Sequence, residues 1–439
     1  MSSLVGGASP TRPVTDARPV TDAGPVAVLG DARSVLDPDQ LSRFVTDSVA
    51  ALGLRGRVCV VVPDPTRSCP LPLLMRAVHR ALAGRVDAIT VLVALGTHPA
   101  SPASRLRDWT GADELPGVEV VQHEWWRPET FVEVGTVAAA DLRRMSGGLL
   151  DADVPVRVNR AVVDHDAVLV VGPVFPHEVV GFSGGDKYFF PGISGPEVID
   201  TSHWLGALIG SARIIGTRGI TPVRDLVQSA AAMIPCRRAA VTCVVRSGSH
   251  DVHRVAVSEP PLAAWDAAAA VSAQVHVRHL DRPVRRVLSV VSDRYDEMWV
   301  AAKGFYKVEP VVADGGEVTL LAPRVDAVSR TFGTDIERVG YHSREWLLAH
   351  LDEFADVRGS VLAHCTHARG IGSVAPDGSD RPRVNLVLAT GLDRATTDRL
   401  TVGWRDPAGV DEREWAEDPD ALVVHDAGEI LYRLRDDQG

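Results

Sequence analysis

Short apolar runs alternate with amphipathic segments along the first two-thirds of the chain. The apolar runs have the length and unbroken hydrophobicity of strands that are buried on both faces of a parallel sheet, and they lie at 57–63, 87–95, 118–122 and 167–172. Segments with helical periodicity lie at 38–52, 72–82, 196–210, 223–233 and 260–273. Because alternating strands and helices form βαβ units, the pattern predicts an α/β fold with a largely parallel sheet.

A polar stretch at 274–285 interrupts this pattern and is interpreted as a linker. After it we expect strands at 287–291, 317–321, 360–364 and 384–389, helices at 296–313, 344–356 and 427–435, and a turn at Gly315-Gly316. The predicted organisation is a flexible tail (1–27), an N-terminal α/β domain (28–275), a C-terminal α/β domain (284–415) and a terminal segment (416–439) that returns to the N-terminal domain.

Composition and charge narrow the class of protein. The 439 residues are 45% hydrophobic and carry a formal charge of −11, which supports a sizeable core and argues against nucleic-acid binding. No apolar stretch reaches the roughly 18 residues of a membrane helix, and the N-terminal residues show no export signal. The five cysteines form no CxxC pair, which is typical of reduced thiols. We therefore expect a cytoplasmic protein with a small-molecule partner and with neither a membrane nor a nucleic acid as partner.

Lysine is nearly absent from the chain. Of its 46 basic residues, only Lys187, Lys303 and Lys307 are lysines. Arginine serves as well as lysine in surface charges and carboxylate pairs, but it cannot lose its proton and become an amine nucleophile. Lys187 is therefore a candidate functional amine, whereas we expect Lys307 to be an ordinary surface residue.

Two loops follow predicted strands at the sheet edge where open α/β proteins bind ligands. The loop PDPTRSCP offers Asp64 and Thr66 as hydrogen-bonding groups and Arg67 as a fork for a carboxylate or phosphate. A capped turn with a surface ion pair is the alternative interpretation. The loop GTHPA presents His98, whose position after a strand favours an acid/base role over a structural one.

A third, glycine-rich segment follows the fourth predicted strand. Its glycines, including Gly184 and Gly185, allow close approach of the backbone to a ligand, and it carries His177, Lys187 and His203. It does not match the phosphate-binding pattern GxxxxGK[ST]. Lys187 is a candidate Schiff-base lysine for a pyridoxal cofactor, or a lysine that carries another cofactor covalently.

The three histidines leave two kinds of chemistry open. Two histidines on opposite sides of a substrate would provide one base for each face, which stereochemical inversion requires, and a third would be free to hold a metal. The spacing is only a weak metal signal, because no HExxH-type motif is present. A zinc hydrolase that uses all three is an alternative, although it leaves Lys187 without a role.

The ordered set DPTR (64–67), GTH (96–98), PH (176–177), GFSGGDK (181–187), PGISG (191–195) and His203 resembles the lactate racemase family. This family comprises the nickel-pincer-dependent 2-hydroxyacid racemases and epimerases. The resemblance runs from Val58 to His203, with a second patch at Lys303-Gly304.

The resemblance implies a nickel-pincer nucleotide, pyridinium-3,5-bisthiocarboxylic acid mononucleotide nickel, that is joined covalently to Lys187 as a thioamide. His203 would complete the nickel site. The other residues that would lie beside the cofactor are Asp64, Thr66, Arg67, Gly184 and Gly185. The cell would also need upstream cofactor-biosynthesis enzymes as partners.

The resemblance further implies inversion at C2 of a 2-hydroxy acid. One of His98 and His177 would take the hydroxyl proton, a hydride would leave C2 for the cofactor, and both would return to give the other configuration. Arg67 and Lys303 would contact the substrate. The implied fold has two α/β domains, a cofactor-binding catalytic one and a substrate-contacting one, with the active-site cleft between them.

One departure from the family concerns the substrate. Trp299 and Val300 stand where the lactate enzyme has a Tyr-Gln pair, so we expect a 2-hydroxy acid other than lactate, with a larger or apolar side group. A pyridoxal enzyme that uses Lys187 and a non-catalytic relative that binds a hydroxy acid or the cofactor are the alternatives. We expect HEWW (123–126) to be a packed surface cluster and HCTH (364–367) to have too few ligands for a metal clip.

Overall fold

The computed structural model describes residues 17–21 and 23–435. The strands, in chain order, are β1 (Val26–Gly30), β2 (Arg57–Pro63), β3 (Ala88–Ala94), β4 (Val118–Gln122), β5 (Phe131–Val137), β6 (Val154–Asn159), β7 (Ala167–Pro173), β8 (Pro176–His177), β9 (Gly181–Phe182), β10 (Arg237–Val245), β11 (Val252–Ser258), β12 (Val277–Leu280), β13 (Val284–Val291), β14 (Val312–Ala322), β15 (Gly372–Val374), β16 (Asp380–Pro382), β17 (Asn385–Thr390), β18 (Gly403–Trp404), β19 (Ala421–Ala427) and β20 (Leu431–Leu434).

The α-helices, in chain order, are α1 (Pro38–Ala51), α2 (Leu71–Leu82), α3 (Ala103–Thr110), α4 (Ala139–Met145), α5 (Arg160–Val163), α6 (Pro196–Ile209), α7 (Ser211–Ile214), α8 (Pro222–Ala231), α9 (Pro261–Val275), α10 (Met298–Ala301), α11 (Lys303–Tyr306), α12 (Gly333–Val339), α13 (Arg344–Ala349), α14 (Gly359–His367), α15 (Arg394–Arg399) and α16 (Glu412–Glu417).

A seven-stranded sheet in the order β1-β11-β10-β7-β2-β3-β4 forms the first layer. Its five strands from β10 to β4 run parallel, and β11 and β1 add an antiparallel edge. Along β2, Val58 and Val60 pack into one hydrophobic cluster, while Cys59 and Val61 pack into another. Both faces of β2 are therefore covered, which explains its unbroken apolar sequence.

A second sheet, in the order β18-β17-β14-β13-β19, is parallel throughout. The predicted α/β fold with largely parallel sheets is thus confirmed. The strands and helices predicted before residue 274 are also present, with ends that differ by at most two residues. Asp37 caps α1 by accepting hydrogen bonds from the backbone amides of Asp39 and Gln40. The boundaries of the two predicted domains stay a prediction.

Several expectations for the second half of the chain are wrong. Residues 360–364 lie in helix α14, because the run SVLAH is too short for its periodicity to separate a strand from a helix. Asp200 of α6 fixes the first turn of α14 by accepting from the backbone amide (3.1 Å) and Oγ (2.6 Å) of Ser360.

The predicted linker and the predicted final helix are both strands. Residues 277–280 form β12, which pairs in parallel with β20. Hydrogen bonding between these two strands, which are far apart in sequence, therefore outweighs the local sequence pattern of each. The expected helix at 296–313 is broken into α10, α11 and a 3₁₀ turn, and the expected helix at 344–356 into α13 and a 3₁₀ turn. Gly315-Gly316 lies inside β14 rather than in a turn.

Residues 1–16 and 22 of the predicted tail lie outside the described residues. Arg18 exchanges two backbone hydrogen bonds with Ile220, of 3.1 and 2.8 Å, and regular structure begins with β1. In the part of the chain that the structure describes, no helix is both long and apolar enough to cross a membrane.

Candidate active site

The loops after β2, β3 and β7 open into one cavity of about 170 Å³. Because the carboxyl ends of parallel strands share one edge of a sheet, distant segments of sequence meet there. The cavity is lined by nine of the predicted site residues, namely Asp64, Arg67, His98, His177, Gly184, Lys187, His203, Trp299 and Lys303. Thr66, Gly185 and Val300 lie behind its wall: Thr66 bonds Asp64, Gly185 packs on Trp265, and Val300 belongs to the hydrophobic core.

Asp64 orients His98. One carboxylate oxygen of Asp64 accepts a hydrogen bond from His98 Nδ1, and the other accepts from Thr66 Oγ1 at 2.7 Å. Burial opposes ionisation of Asp64, but the charge and hydrogen bond of His98, and then Arg67, lower its pKa overall. With Nδ1 donating to a carboxylate, the neutral His98 ring has its lone pair on Nε2, which is the form of a general base.

His177 has the opposite arrangement of protons. The Val179 amide donates to His177 Nδ1 at 3.1 Å, so the neutral ring has its proton on Nε2. Burial, and then the charges of Lys187 and Arg67, lower the pKa of His177 well below its usual value. His177 is therefore neutral at pH 7, and it can act as a general acid only after it takes up a proton.

Lys187 follows two glycines with left-handed backbone, Gly184 at φ +87° and Gly185 at φ +59°. A Cβ at residue 184 would lie 2.6 Å from a methyl carbon of Val174, so glycine is required there. Burial, aided by Arg67 and Arg224 and opposed by Glu178, lowers the pKa of Lys187 to about 7. A larger fraction of this amine than of an ordinary lysine is therefore unprotonated, and nucleophilic, near neutral pH.

His203 lies on α6, and its Nδ1 is 2.7 Å from the carbonyl oxygen of Ile199. Donation to that carbonyl leaves the lone pair on Nε2, as in most metal-binding histidines. Over residues 17–21 and 23–435, no three His, Cys, Asp or Glu side chains come together as a metal cage. A metal held by His203 would therefore need its other ligands from a cofactor. The expectation that HCTH has too few ligands for a metal clip stays a prediction.

The opposite wall comes from the second half of the chain. Helix α14 contributes Ser360, His364 and His367, and the segment from α10 to α11 contributes Trp299 and Tyr306. The indole of Trp299 packs against the His364 ring with centroids 4.7 Å apart. Sequence reasoning predicted Trp299 but missed the part of this wall that α14 forms, although the spacing of i, i+4 and i+7 in residues 360–367 is the signal of one helix face.

Glu178 is a further missed residue of the cavity. Its Oε2 is 3.2 Å from His177 Nδ1. Burial opposes its ionisation, but His367, its own backbone amide, Lys187 and Lys303 lower its pKa. The cavity therefore contains a buried carboxylate that balances its cations.

All three lysines are located at or beside this cavity. Lys303 is 6% exposed and Lys307 is 2% exposed, so the expectation that Lys307 is a surface residue is wrong. Burial lowers the pKa of Lys307 to about 7, with Glu178 and Glu429 opposing the shift and Arg67 adding to it. Two of the three lysines are thus buried, and Lys187 is half-buried.

Hydrogen bonds from two residues outside the cavity support the loops that carry His98 and Asp64. Trp125 of HEWW donates from Nε1 to the carbonyl oxygen of His98 at 2.9 Å, so this cluster supports the site rather than only packing at the surface. Glu429, between β19 and β20, accepts from the amide (3.1 Å) and Oγ (2.9 Å) of Ser68. The terminal segment therefore contacts the loop that carries Asp64 and Arg67, while β19 itself belongs to the second sheet.

Residues 46–214 match the family model of the lactate racemase N-terminal domain. A lactate racemase from Thermoanaerobacterium thermosaccharolyticum is 26% identical over 153 residues, which are 34% of this chain and 32% of that protein. A lactate racemase from Lactiplantibacillus plantarum is 29% identical over 165 residues, which are 36% of this chain and 35% of that protein. These alignments thus span about a third of the curated relatives.

Solved structures resemble the chain over more of its length. A crystal structure of a protein from Thermotoga maritima has a TM-score of 0.85 and 30% identity, and the match covers 91% of this chain and 99% of that one. The lactate racemase apoprotein from Thermoanaerobacterium thermosaccharolyticum has a TM-score of 0.64 and 16% identity, with 88% of each chain covered. The second likeness concerns the fold alone.

Proposed function

The chain belongs to the lactate racemase family, and on that premise we propose that it is a racemase or epimerase that inverts C2 of a 2-hydroxy acid. The observation that carries the proposal is the convergence of Lys187, His98, His177 and His203 on one cavity. A binder without turnover would need neither the base form of His98 nor the acid form of His177.

The residues present fit a lysine-tethered nickel-pincer nucleotide. Lys187 would offer an amine of lowered pKa for the thioamide, and His203 would offer Nε2 as a nickel ligand. The remaining ligands of the nickel ion would come from the pincer, since no group of three or more His, Cys, Asp or Glu side chains among the described residues could hold a metal. When bound, this cofactor supplies a reversible acceptor for the hydride of C2.

Proton transfer is the task of the two histidines. For one enantiomer, His98 Nε2 takes the proton of the 2-hydroxyl while Asp64 stabilises the imidazolium that forms. When the opposite configuration is made, the oxygen takes a proton back from an imidazolium, either His98 with the proton it accepted or His177 after its ring has taken up a proton from solvent. Because the buried His177 ring favours its neutral form, it readily gives up a proton accepted in the reverse direction.

Arg67 and Lys303 are the cations we assign to the substrate carboxylate. Arg67 lines the cavity beside Asp64, and the Lys303 ammonium lies 5.3 Å from the ring centroid of Tyr295. Burial, followed by the charge of Arg67, lowers the pKa of Lys303 well below its usual value. A bound carboxylate would restore the charge of Lys303, which couples substrate binding to protonation of this lysine.

The wall formed by Trp299 and His364 supports a substrate other than lactate. The indole occupies the cavity surface, whereas Val300 is 4% exposed and packs in the core. Only Trp299 of the predicted pair is therefore placed to touch a substrate side group. An apolar or aromatic side group would bury more surface against this wall than the methyl group of lactate.

Intact-mass analysis of protein made together with the cofactor-biosynthesis enzymes tests the proposal. We expect a nickel-bearing adduct on the wild type and none on Lys187→Arg, because a guanidinium cannot form the thioamide. A pyridoxal enzyme would instead show a borohydride-sensitive adduct without nickel. An unmodified Lys187 in a preparation that still interconverts 2-hydroxy acids would overturn the proposal.

A further inference from the structure

Arg224 is a completely buried arginine that lies outside the cavity, behind the loop that carries Lys187. It is 0% exposed and sits in the first turn of α8. Neither side-chain hydrogen bond of Arg224 goes to Lys187, His98, His177 or His203, the residues that the proposed mechanism uses. A buried guanidinium is costly unless its donors are satisfied, so its partners indicate what it stabilises.

Those partners are the backbone of the loop. Arg224 Nη1 donates to the carbonyl oxygen of Gly184 at 3.2 Å, and Nη2 donates to the carbonyl oxygen of Phe182. The Gly184 carbonyl also accepts the backbone amide of Lys187 at 3.3 Å. One carbonyl group therefore joins the guanidinium directly to the backbone of the functional lysine.

Two further contacts hold Arg224, one through its guanidinium and one through its backbone amide. Its central carbon lies 4.1 Å from the ring centroid of Trp265, and Gly185 packs on the same tryptophan. Thr221 caps the helix by accepting the Arg224 amide at 3.1 Å and donates to the carbonyl of Val180 at 3.3 Å. The loop is thus tied to α8 through both the backbone and the side chain of Arg224.

Such a clamp has a physical use. The glycines at 184 and 185 have a large conformational freedom in an isolated chain, and their left-handed backbone must be stabilised by the surroundings. A planar fork that bonds two carbonyls sets the distance and direction between them, which a lysine in the same place cannot do. The charge of Arg224 also disfavours protonation of the nearby Lys187 amine.

We propose that Arg224 is a positioning residue that presents the Lys187 amine for cofactor attachment by clamping the backbone of residues 182–184. The proposal rests on the proposed function, because it assigns Lys187 as the attachment point. It extends that function to a residue outside the cavity, which acts through the loop and touches neither substrate nor cofactor.

The test uses apoprotein with Arg224→Met and Arg224→Lys, and Arg286→Met as the matched control. Arg286 also lies over an indole, at 4.0 Å from the ring centroid of Trp415, but it belongs to the second sheet. Two properties are measured: hydrogen exchange of the amides of residues 183–187, and the pH profile of Lys187 acetylation by acetic anhydride, read by mass spectrometry.

Both Arg224 variants should exchange the loop amides at least tenfold faster than wild type. In Arg224→Met the midpoint of Lys187 acetylation should rise above its value of about 7, because a nearby positive charge is gone. In Arg224→Lys the midpoint should stay close to wild type while the loop loosens, which separates charge from clamping. Arg286→Met should match wild type in both measurements.

Co-production with the cofactor-biosynthesis enzymes completes the test. Both Arg224 variants should give less than a tenth of the wild-type adduct on Lys187. If Arg224→Met does not fold, Arg224→Lys carries the test alone through exchange and adduct yield. Wild-type exchange and adduct yield in a folded Arg224→Lys would overturn the proposal. Absence of an adduct in the wild type itself would refute the proposed function, and faster exchange in the apoprotein variants would still show the clamp.

Discussion

Asp64→Asn is expected to remove the base form of His98 with little change elsewhere. The two carboxylate oxygens of Asp64 have separate partners: Oδ1 accepts from Thr66, and Oδ2 accepts from His98 Nδ1. In the variant, the amide oxygen keeps the Thr66 bonds, and an NH₂ group faces His98. Because two donors cannot pair, His98 Nδ1 must become an acceptor, and its proton moves to Nε2, where the base lone pair is needed.

The magnitude follows from the bond that is lost. A hydrogen bond between charged partners contributes about 1.5–3 kcal/mol, which corresponds to a fall of about 10- to 150-fold in kcat/KM. The fall must be the same for both enantiomers, since their equilibrium constant is one and no variant can alter it. Equal losses in the two directions are therefore an internal check on the measurement.

The assay measures initial rates from each enantiomer of the best 2-hydroxy acid, on protein whose Lys187 adduct has been quantified by intact mass. Normalising to adduct separates loss of chemistry from loss of cofactor. Thr66→Val is the control, because it removes a bond to Oδ1 and leaves Oδ2 with His98, so its loss should be smaller. An Asp64→Asn enzyme with more than half of the wild-type kcat/KM would refute the reasoning.

Two further predictions concern the same site. His98→Ala and His177→Ala should each abolish interconversion while keeping the adduct on Lys187, as measured by activity and intact mass; full activity in either variant contradicts its acid/base role. Lys187→Met should be more stable than wild type in denaturant unfolding below about pH 7, and this advantage should fade as the pH approaches 10.5. The folded pKa of about 7 is lower than the usual 10.5, so the unfolded chain binds more protons in that window and wild-type stability rises with pH; an advantage that does not change with pH contradicts the burial of this amine.

The local pattern of apolar residues was sufficient to predict the strands that are buried on both faces. The runs at 57–63 and 167–172 are apolar because both faces of β2 and β7 are covered, and that condition is readable from sequence. The local pattern was insufficient to predict the structure of residues 360–364 and 427–435, where α14 packs beside α6 and β20 pairs with β12. In those segments the partner, rather than the propensity, selects the element.

The sequence by itself determined which chemical groups the protein has: an amine at Lys187 in a chain that otherwise avoids lysine, histidines after predicted strands, and glycines where backbone must turn. The tertiary structure alone decided which protons those groups carry. The pairing of Asp64 with His98 and the clamp from Arg224 join residues 34 to 40 positions apart, and the burial that lowers the pKa of Lys187 depends on the whole fold. Hydrogen bonds and pKa shifts arise from neighbours in space, and a linear pattern fixes neighbours only within a few residues.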